Sequence, residues 1–197
     1  MKHTKPMKPE KEFKFIIVFL CLFLVLTTIY TVLTGNTEFL LYASVMFFAL
    51  IVILFYHKKL HLTNQILIGI CILIIAHILG GNLHISGVRL YDMWFGPFKY
   101  DNIMHAFGSV LMTLIVYNFL APMLNKSVKK NQIILTVTLM LVVFGIGAFN
   151  EMVEFLAVLC FNASAGVGDY FNNAIDLYYN ALGAVVGAFI AMRHHFH

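Results

Sequence analysis

Residues 15–33 of the chain read FIIVFLCLFLVLTTIYTVL, a run of nineteen residues without one charged side chain. A helix rises about 1.5 Å per residue, so this run is long enough to cross most of a hydrocarbon core of about 30 Å. Several lysines precede it, as in a secretory signal, but the apolar core of such a signal is only about 7 to 15 residues long. We therefore interpret the run as a retained membrane-spanning helix.

Five further apolar runs follow, and together with the first they predict an all-α, polytopic membrane bundle of six helices. The six predicted spans are residues 15–33, 39–56, 62–79, 103–124, 133–160 and 174–192. The whole chain of 197 residues is 61% hydrophobic and 11% charged, with a mean hydropathy of +0.88. This composition excludes an ordinary soluble domain. We expect one integral membrane domain over residues 1–197, with the lipid bilayer as its partner.

The basic residues predict the orientation of this bundle. With six spans, all lysines and arginines except Arg89 and Lys99 fall on one side of the membrane. The positive-inside rule places that side, with both termini, in the cytoplasm. The chain is therefore predicted to be a multi-pass protein of the cytoplasmic (inner) membrane. Its formal charge of +4 follows from this topology, so no nucleic-acid partner is expected, while a homo-oligomer remains open.

Ionisable residues interrupt the last three spans near their predicted outer ends. These residues are Asp101, His105, Glu151, Glu154 and Asp176. Charged groups are costly in hydrocarbon and rare in spanning helices, so five of them at one depth indicate a functional site. Asp101 and His105 are four residues apart and share a helix face. Glu151 lies about 27 Å along its helix from Ile133, near the outer boundary of the hydrocarbon core. We expect these side chains to meet in a shallow, outward-open pocket.

The residue types in this cluster suit binding of a divalent metal ion or general acid and base chemistry. The candidate catalytic residues are His105, Glu151 and Glu154. The candidate metal ligands are His105, Glu151, Glu154, Asp169 and Asp176. The candidate supporting residues are Asp101, Asn150, Asn172, Asn173 and Asn180. A divalent metal ion is the only cofactor that these residues suggest.

Three interpretations of the cluster remain open at this point. It could bind a cation or a lipid or envelope headgroup, with or without enzymatic chemistry. It could serve a small carrier or a proton- or ion-coupled transporter. It could also join helices in a structural or assembly protein, through interhelical hydrogen bonds. None of the HExxH, GxSxG or phosphate-binding glycine motifs is present in the sequence, so enzymatic activity stays undecided.

Two other features predict local structure. Gly183 and Gly187 form a small-xxx-small face, and we expect this face to pack the sixth span closely against the fifth. The connection Gly80–Tyr100 is rich in aromatic residues, which suits either the membrane interface or a lid over the outer pocket.

The order of these residues resembles the YjdF-like family of bacterial inner-membrane proteins. The resemblance spans residues 80–190 and rests on three segments: Tyr100-Asp101-x3-His105, Glu151-x2-Glu154, and Gly168-Asp169-x6-Asp176-x3-Asn180-x2-Gly183-x3-Gly187. The chain is similar, more loosely, to the VanZ-like family in its first and last segments. It departs from the expected pattern three residues after Asp169, where Asn172 replaces an acid and removes one potential anionic ligand. The resemblance implies a helical membrane protein with an outward polar cluster and assigns no biochemical activity.

Overall fold

The structure is a computed structural model and describes residues 9–56, 59–161 and 170–194. Within these ranges the α-helices are α1 (Pro9–Thr34), α2 (Thr37–Tyr56), α3 (Asn64–Asn82), α4 (Tyr100–Leu120), α5 (Lys126–Lys130), α6 (Gln132–Phe161) and α7 (Tyr170–His194). All of them except the short α5 are long and apolar enough to cross a membrane. The structure therefore confirms the predicted all-α, polytopic membrane fold.

Polar caps explain why two helices depart from their predicted limits. The predicted span 62–79 becomes α3, which begins at Asn64 because the Thr63 hydroxyl accepts a hydrogen bond from the backbone N–H of Ile66 at 3.4 Å. The predicted span 103–124 becomes α4, which begins at Tyr100 and ends at Leu120. Its start is fixed by Asn102, whose side-chain oxygen accepts the backbone N–H of Lys99 at 3.2 Å.

The connection between α3 and α4, for which the sequence left open a place at the membrane interface or over the pocket, contains regular structure. Strands β1 (His84–Ile85) and β2 (Val88–Arg89) pair in one antiparallel hairpin, and β3 (Trp94–Phe95) and β4 (Phe98–Lys99) pair in a second. A short 3-10 turn, Leu90–Asp92, joins them. We call the end of the bundle that carries these hairpins, residues 83–99, the hairpin end.

Both hairpins depend on backbone conformations that glycine adopts at low cost. Ser86 and Gly87 both have positive φ, as a two-residue type I′ turn requires. Gly96 has a φ of 64° and precedes Pro97, which suits the first central position of a type II′ turn. The two tight turns hold the aromatic connection against the ends of α3 and α4.

The small-residue face of α7 packs on α4, which corrects our expectation that it packs on α6. A Cβ atom added at Gly183 would collide with the carbonyl oxygen of Ala106, and one at Gly187 would lie 2.7 Å from Cβ of Thr113. Both glycines lie on the stripe of α7 that also carries Asp176 and Asn180, and this stripe turns towards α4. The expected packing of the fifth span on the sixth is also present: α6 contacts α7, and its Gly147 makes room for the side chain of Asn180.

The bundle has an apolar exterior and a mixed interior. Large apolar side chains are exposed along α1, α2 and α6, as at Phe15, Phe55 and Leu141. An exterior of this kind is expected for a surface that contacts lipid. The buried apolar core of α1 and α3 is made of leucine and isoleucine, and α4 adds Leu114 and Tyr117 to it. Polar residues are buried mainly where α4, α6 and α7 meet near the hairpin end.

Candidate functional site

His105 of α4 lies at the centre of the polar cluster. Its Nε2 atom is 3.5 Å from Oδ1 of Asp101 and 3.7 Å from Oδ1 of Asp176. Its Nδ1 atom is 3.8 Å from Oε1 of Glu151. The imidazole therefore has carboxylates of α4 and α7 on one side and a carboxylate of α6 on the other. Helices that are far apart in sequence bring these groups together.

Asp176 of α7 is held by amide side chains on both of its oxygens. The side chain is 0% exposed. Asn102 of α4 donates to Oδ1 at 3.3 Å, and Asn172, one turn earlier on α7, donates to Oδ2 at 2.6 Å. A buried carboxylate is stabilised when donors satisfy its oxygens, and here two donors do so. Asp176 thus joins α7 to α4 as well as facing His105.

Glu151 of α6 has the opposite character. Its side chain is buried, with 8% of the residue exposed, and neither carboxylate oxygen has a hydrogen-bond partner among the residues that the structure describes. The 3.8 Å separation from His105 is too long for a hydrogen bond. One turn further on, Glu154 accepts a hydrogen bond from Asn150 at 2.9 Å. Glu151 is therefore a buried acid whose acceptor oxygens are left for another group.

A second layer of the interface lies one turn deeper. The hydroxyl of Ser109 on α4 donates to Oδ1 of Asn180 on α7 at 2.8 Å. Thr113, a further turn along α4, donates to the carbonyl of Ser109 at 2.7 Å. The Nδ2 group of Asn180 is buried without a hydrogen-bond partner in the described part of the chain. This layer fixes how α4 and α7 meet beneath the cluster.

Lys99 connects the cluster to the surface at the hairpin end. Its Nζ atom is 3.9 Å from Oδ2 of Asp101 and 3.4 Å from Oδ1 of Asp92, and it donates to Oδ1 of Asn172 at 3.4 Å. Arg89 forms a 2.9 Å ion pair with the same Asp92. These cations compensate only part of the negative charge of the site, because the cluster itself contains four carboxyl groups.

His77 and Tyr91 form a polar pair beside the cluster. The Tyr91 hydroxyl is hydrogen-bonded to Nδ1 of His77, and the rings of Phe39 and Tyr100 surround the pair. Burial raises the pKa of the Tyr91 hydroxyl well above its usual range, and the charge of Asp101 raises it further. The hydroxyl therefore keeps its proton and remains a hydrogen-bond donor at neutral pH. Neither residue was among the candidate residues of the sequence analysis.

A cavity of about 340 Å³ opens beside the cluster between α2, α3, α4 and α6. At the hairpin end its lining includes His77, Tyr91, Asp101, His105 and Glu154. The remainder of its lining is mainly aliphatic and continues along the helices. The carboxylates of Asp101 and Glu154 and the imidazole of His105 can therefore reach a ligand in the cavity without any rearrangement of the helices.

The structure brings together most, but not all, of the residues that the sequence suggested. Asn150, Asn172 and Asn180 contact the cluster or the layer beneath it, as described above. Asn173 does not join in the same way, since its Oδ1 is buried without a hydrogen-bond partner in the described ranges. Asp169 lies outside the described residues.

Asn102 and Lys99 are functional neighbours that the sequence analysis did not select. Asn102 follows Asp101 directly and has two roles. Its side-chain oxygen caps α4, and its side-chain NH₂ group donates to Asp176 of α7. Lys99 is one of the two basic residues that the predicted topology places on the side of the membrane opposite the termini. That rarity was the one signal in the sequence that could have identified it.

The donor atoms of the cluster are spaced for a metal ion. Two triads, Asp101 with His105 and Asp176, and His105 with Glu151 and Glu154, each offer one ligand atom per residue, and within each triad these atoms lie within 4.8 Å of one another. Bonds of about 2.0 to 2.4 Å to a divalent cation would place opposite ligands about 4 to 5 Å apart. Small side-chain rotations would therefore close either triad around a cation.

The sequence matches a family model described as Predicted membrane protein (DUF2238) over residues 14–197. No curated protein and no solved structure matches the chain.

Proposed function

This chain belongs to the family described as Predicted membrane protein (DUF2238), and we propose that it binds a divalent cation at the triad of His105, Glu151 and Glu154. The observation that carries the proposal is Glu151, a buried carboxylate whose two oxygens lack hydrogen-bond partners in the described structure. A buried charge without such partners is costly unless a ligand compensates it. A cation between α4 and α6 would supply that compensation.

The two triads have different roles in this proposal. Asp176 is already satisfied by Asn102 and Asn172, so its triad serves to hold and orient His105. The triad with both glutamates contains the unsatisfied oxygens of Glu151, and its other two members, His105 and Glu154, line the cavity; we therefore choose it as the cation site. An imidazole with two carboxylates suits Mn²⁺, Fe²⁺ or Zn²⁺ better than Ca²⁺, whose ligands are oxygens.

The metal content of purified protein tests this proposal. The C-terminal tail carries histidines that can bind metal in vitro, so the starting protein should have His194, His195 and His197 replaced by alanine. We expect close to one divalent ion per chain by inductively coupled plasma mass spectrometry after purification in Mn²⁺ and Zn²⁺ and dialysis.

Variants of the same protein separate the cation site from incidental binding. His105→Ala and Glu151→Gln should reduce the metal content at least about tenfold, because each removes one of three ligands. Glu12→Gln, which removes an acid in the first turns of α1 at the opposite end of the bundle, should leave it unchanged. A starting protein without bound metal, or equal metal in all variants, would refute the cation site.

A second candidate function is proton or ion coupling in a small carrier. It is favoured by the position of His105 between carboxylates on both of its nitrogen atoms, a geometry that suits a proton relay across helices. A carrier predicts proton-dependent flux of a solute in proteoliposomes that Glu154→Gln abolishes. The hydrogen bonds of Asp176 and Asn180 support a third, purely structural role in which these residues join helices. Glu151 does not support that role, because it has no such hydrogen bond in the described structure.

Orientation and cellular membrane are parts of the same proposal. The distribution of basic residues supports a cytoplasmic (inner) membrane protein with both termini in the cytoplasm and with the hairpin end facing outward. In a cysteine-free background, Ser86→Cys at the hairpin tip should react with an impermeant maleimide in intact spheroplasts. Ser127→Cys in α5 should react only after permeabilisation, and the reverse pattern would overturn the orientation.

The finer family attribution rests on the sequence segments already described. The YjdF-like resemblance is supported by the convergence of its motif residues Asp101, His105, Glu151, Glu154 and Asp176 in one cluster. The VanZ-like resemblance has no support in the comparisons and is not taken further.

A further inference from the structure

The cavity beside the cluster is long and runs along the helices. On α2 its lining extends from Phe39 to Ile53, a separation of about 21 Å at the helical rise. On α4 it extends over an equal distance from Asp101 to Ile115. One leaflet of a bilayer is about 15 Å of hydrocarbon, half of the core. The cavity is therefore deep enough for most or all of one lipid chain.

Polarity changes sharply along this cavity. The ionisable side chains of its lining all lie near the hairpin end. They are Tyr42, His77, Arg89, Tyr91, Asp101, His105 and Glu154. The far part is lined by aliphatic and methionine side chains such as Met46, Ala49, Ile53 and Val143. Such a gradient matches a molecule with a polar head and a hydrocarbon chain.

The cavity also has an edge that faces the membrane. Val45 of α2 and Ile146 of α6 both line it, and they are 40% and 37% exposed. The packing between α2 and α6 is therefore incomplete at this level. A lipid could enter sideways from the bilayer without crossing water.

The polar end offers donors as well as acids. Asn180 lines the cavity with a buried Nδ2 group that has no hydrogen-bond partner in the described structure. Arg89 and the Tyr91 hydroxyl also line it. These groups suit a phosphate, but the carboxylates would repel an anion. A cation on His105 and Glu154, which both face the cavity, would remove that repulsion, and divalent ions are often completed by phosphate oxygens.

We propose that the cavity binds a lipid with a phosphate head, whose hydrocarbon chain lies between α2, α3, α4 and α6 and whose phosphate completes the coordination of the cation at His105, Glu151 and Glu154. This inference rests on the proposed cation site. It adds the class of ligand that the site takes and the route by which that ligand enters. The ligand is recognised by a head and a chain together, so neither part should bind well alone.

Three probes separate the head from the chain. Hexadecyl phosphate has both, hexadecanol has only the chain, and inorganic phosphate has only the head. Binding of each is measured by native mass spectrometry on the full-length protein in detergent, with Mn²⁺ or with EDTA. We expect hexadecyl phosphate to bind at least about tenfold more tightly with Mn²⁺ than with EDTA, as for the loss of one strong charged contact. The other two probes should bind at least about tenfold more weakly.

A pair of variants on α2 tests the place of the chain. Ala49 lies in the far part of the cavity, about 15 Å from Phe39 along α2, so Ala49→Phe should block the end of the hydrocarbon chain and reduce binding of hexadecyl phosphate to about a tenth or less. Ser44, on the same helix, is exposed and does not line the cavity. Ser44→Phe introduces the same ring and should bind the probe as the wild type does. Both variants should keep their metal, since neither touches a ligand.

The outcomes distinguish the two proposals. If the wild type holds metal but does not retain hexadecyl phosphate, or if Ala49→Phe binds it as well as Ser44→Phe, the lipid inference is wrong and the cation site stands. If inorganic phosphate binds as tightly as hexadecyl phosphate, the ligand is a free phosphate and the inference is again wrong. If hexadecyl phosphate binds equally with Mn²⁺ and EDTA, its head is not on the cation. If the wild type holds no metal, both proposals fail.

Discussion

Replacing Glu151 by glutamine should stabilise the metal-free protein, whereas replacing Asp176 by asparagine should destabilise it. Both substitutions convert a buried carboxylate into an amide of nearly the same shape. They differ in what surrounds the oxygens. Glu151 has no hydrogen-bond partner in the described residues, while Asp176 accepts two hydrogen bonds. The pair therefore compares an unsatisfied acid with a satisfied one in a single cluster.

The magnitudes follow from these contacts. A buried group without a partner costs about 1 to 3 kcal/mol, and more when it is charged. Glu151→Gln removes an unsatisfied buried charge and its repulsion of Glu154, but it also removes the attraction to His105 at 3.8 Å, so a net gain of about 1 kcal/mol in the free energy of unfolding is expected. Asp176→Asn places an NH₂ group against a donor from Asn102 or Asn172, which should cost about 1 to 3 kcal/mol. For a chain of this size, 1 kcal/mol shifts the melting temperature by about 2 to 4 °C.

Thermostability in detergent with EDTA provides the assay. Aliquots are heated, and the folded fraction that remains is measured by size-exclusion chromatography. We expect the midpoint to rise for Glu151→Gln and to fall for Asp176→Asn. If Glu151→Gln lowers the midpoint as much as Asp176→Asn does, then Glu151 joins helices like Asp176, and the reasoning that assigns it to a ligand is refuted.

Four further substitutions test the helix packing around the site and the turn of the first hairpin, each measured by the same thermostability assay. Gly183→Ala should cost about 1 to 3 kcal/mol because its methyl group would overlap a carbonyl of α4. Its control, Gly145→Ala, has nothing within 4 Å of the added methyl group and should stabilise the helix by up to about 1 kcal/mol. Equal effects of the two variants would contradict the close approach of α4 and α7. Ser109→Ala should cost about 1 kcal/mol by removing the donor to Asn180, and no change would show that this bond is not formed. Gly87→Ala should cost about 1 kcal/mol at its φ of 81°, and a neutral result would argue against the type I′ turn.

The sequence predicted the membrane fold well because the relevant signal is local. Each long apolar run forms one helix, whichever neighbours it packs against. Two of the boundary errors, at the starts of α3 and α4, arose where a polar side chain caps the helix, as Thr63 does for α3 and Asn102 does for α4. Whether a polar residue caps a helix or extends it depends on a single side-chain torsion, which hydropathy does not record.

The partners of each helix were harder to predict. A pair of glycines four residues apart shows that some helix approaches closely, but it does not say which one. Gly183 and Gly187 were expected to face the fifth predicted span and instead face α4. The direction of the stripe depends on how α7 is rotated. That rotation is fixed by contacts such as Asn102 with Asp176, which join residues far apart in sequence.

Parts of the site could be anticipated and others could not. Ionisable residues in spanning helices are rare, so Asp101, His105 and Glu151 could be selected from sequence alone. The His77–Tyr91 pair could not, because Tyr91 reaches His77 only through the hairpins of the connection. The contrast between a satisfied Asp176 and an unsatisfied Glu151 also requires coordinates, since the two acids look alike in a sequence.

Anomalous X-ray diffraction from crystals grown with Mn²⁺ tests the cation site most directly. The account predicts one anomalous peak per chain between His105 and the carboxylates of Glu151 and Glu154, at about 2.0 to 2.4 Å from their ligand atoms. A map without a peak there, or with its only peak at the C-terminal histidines, would contradict the account.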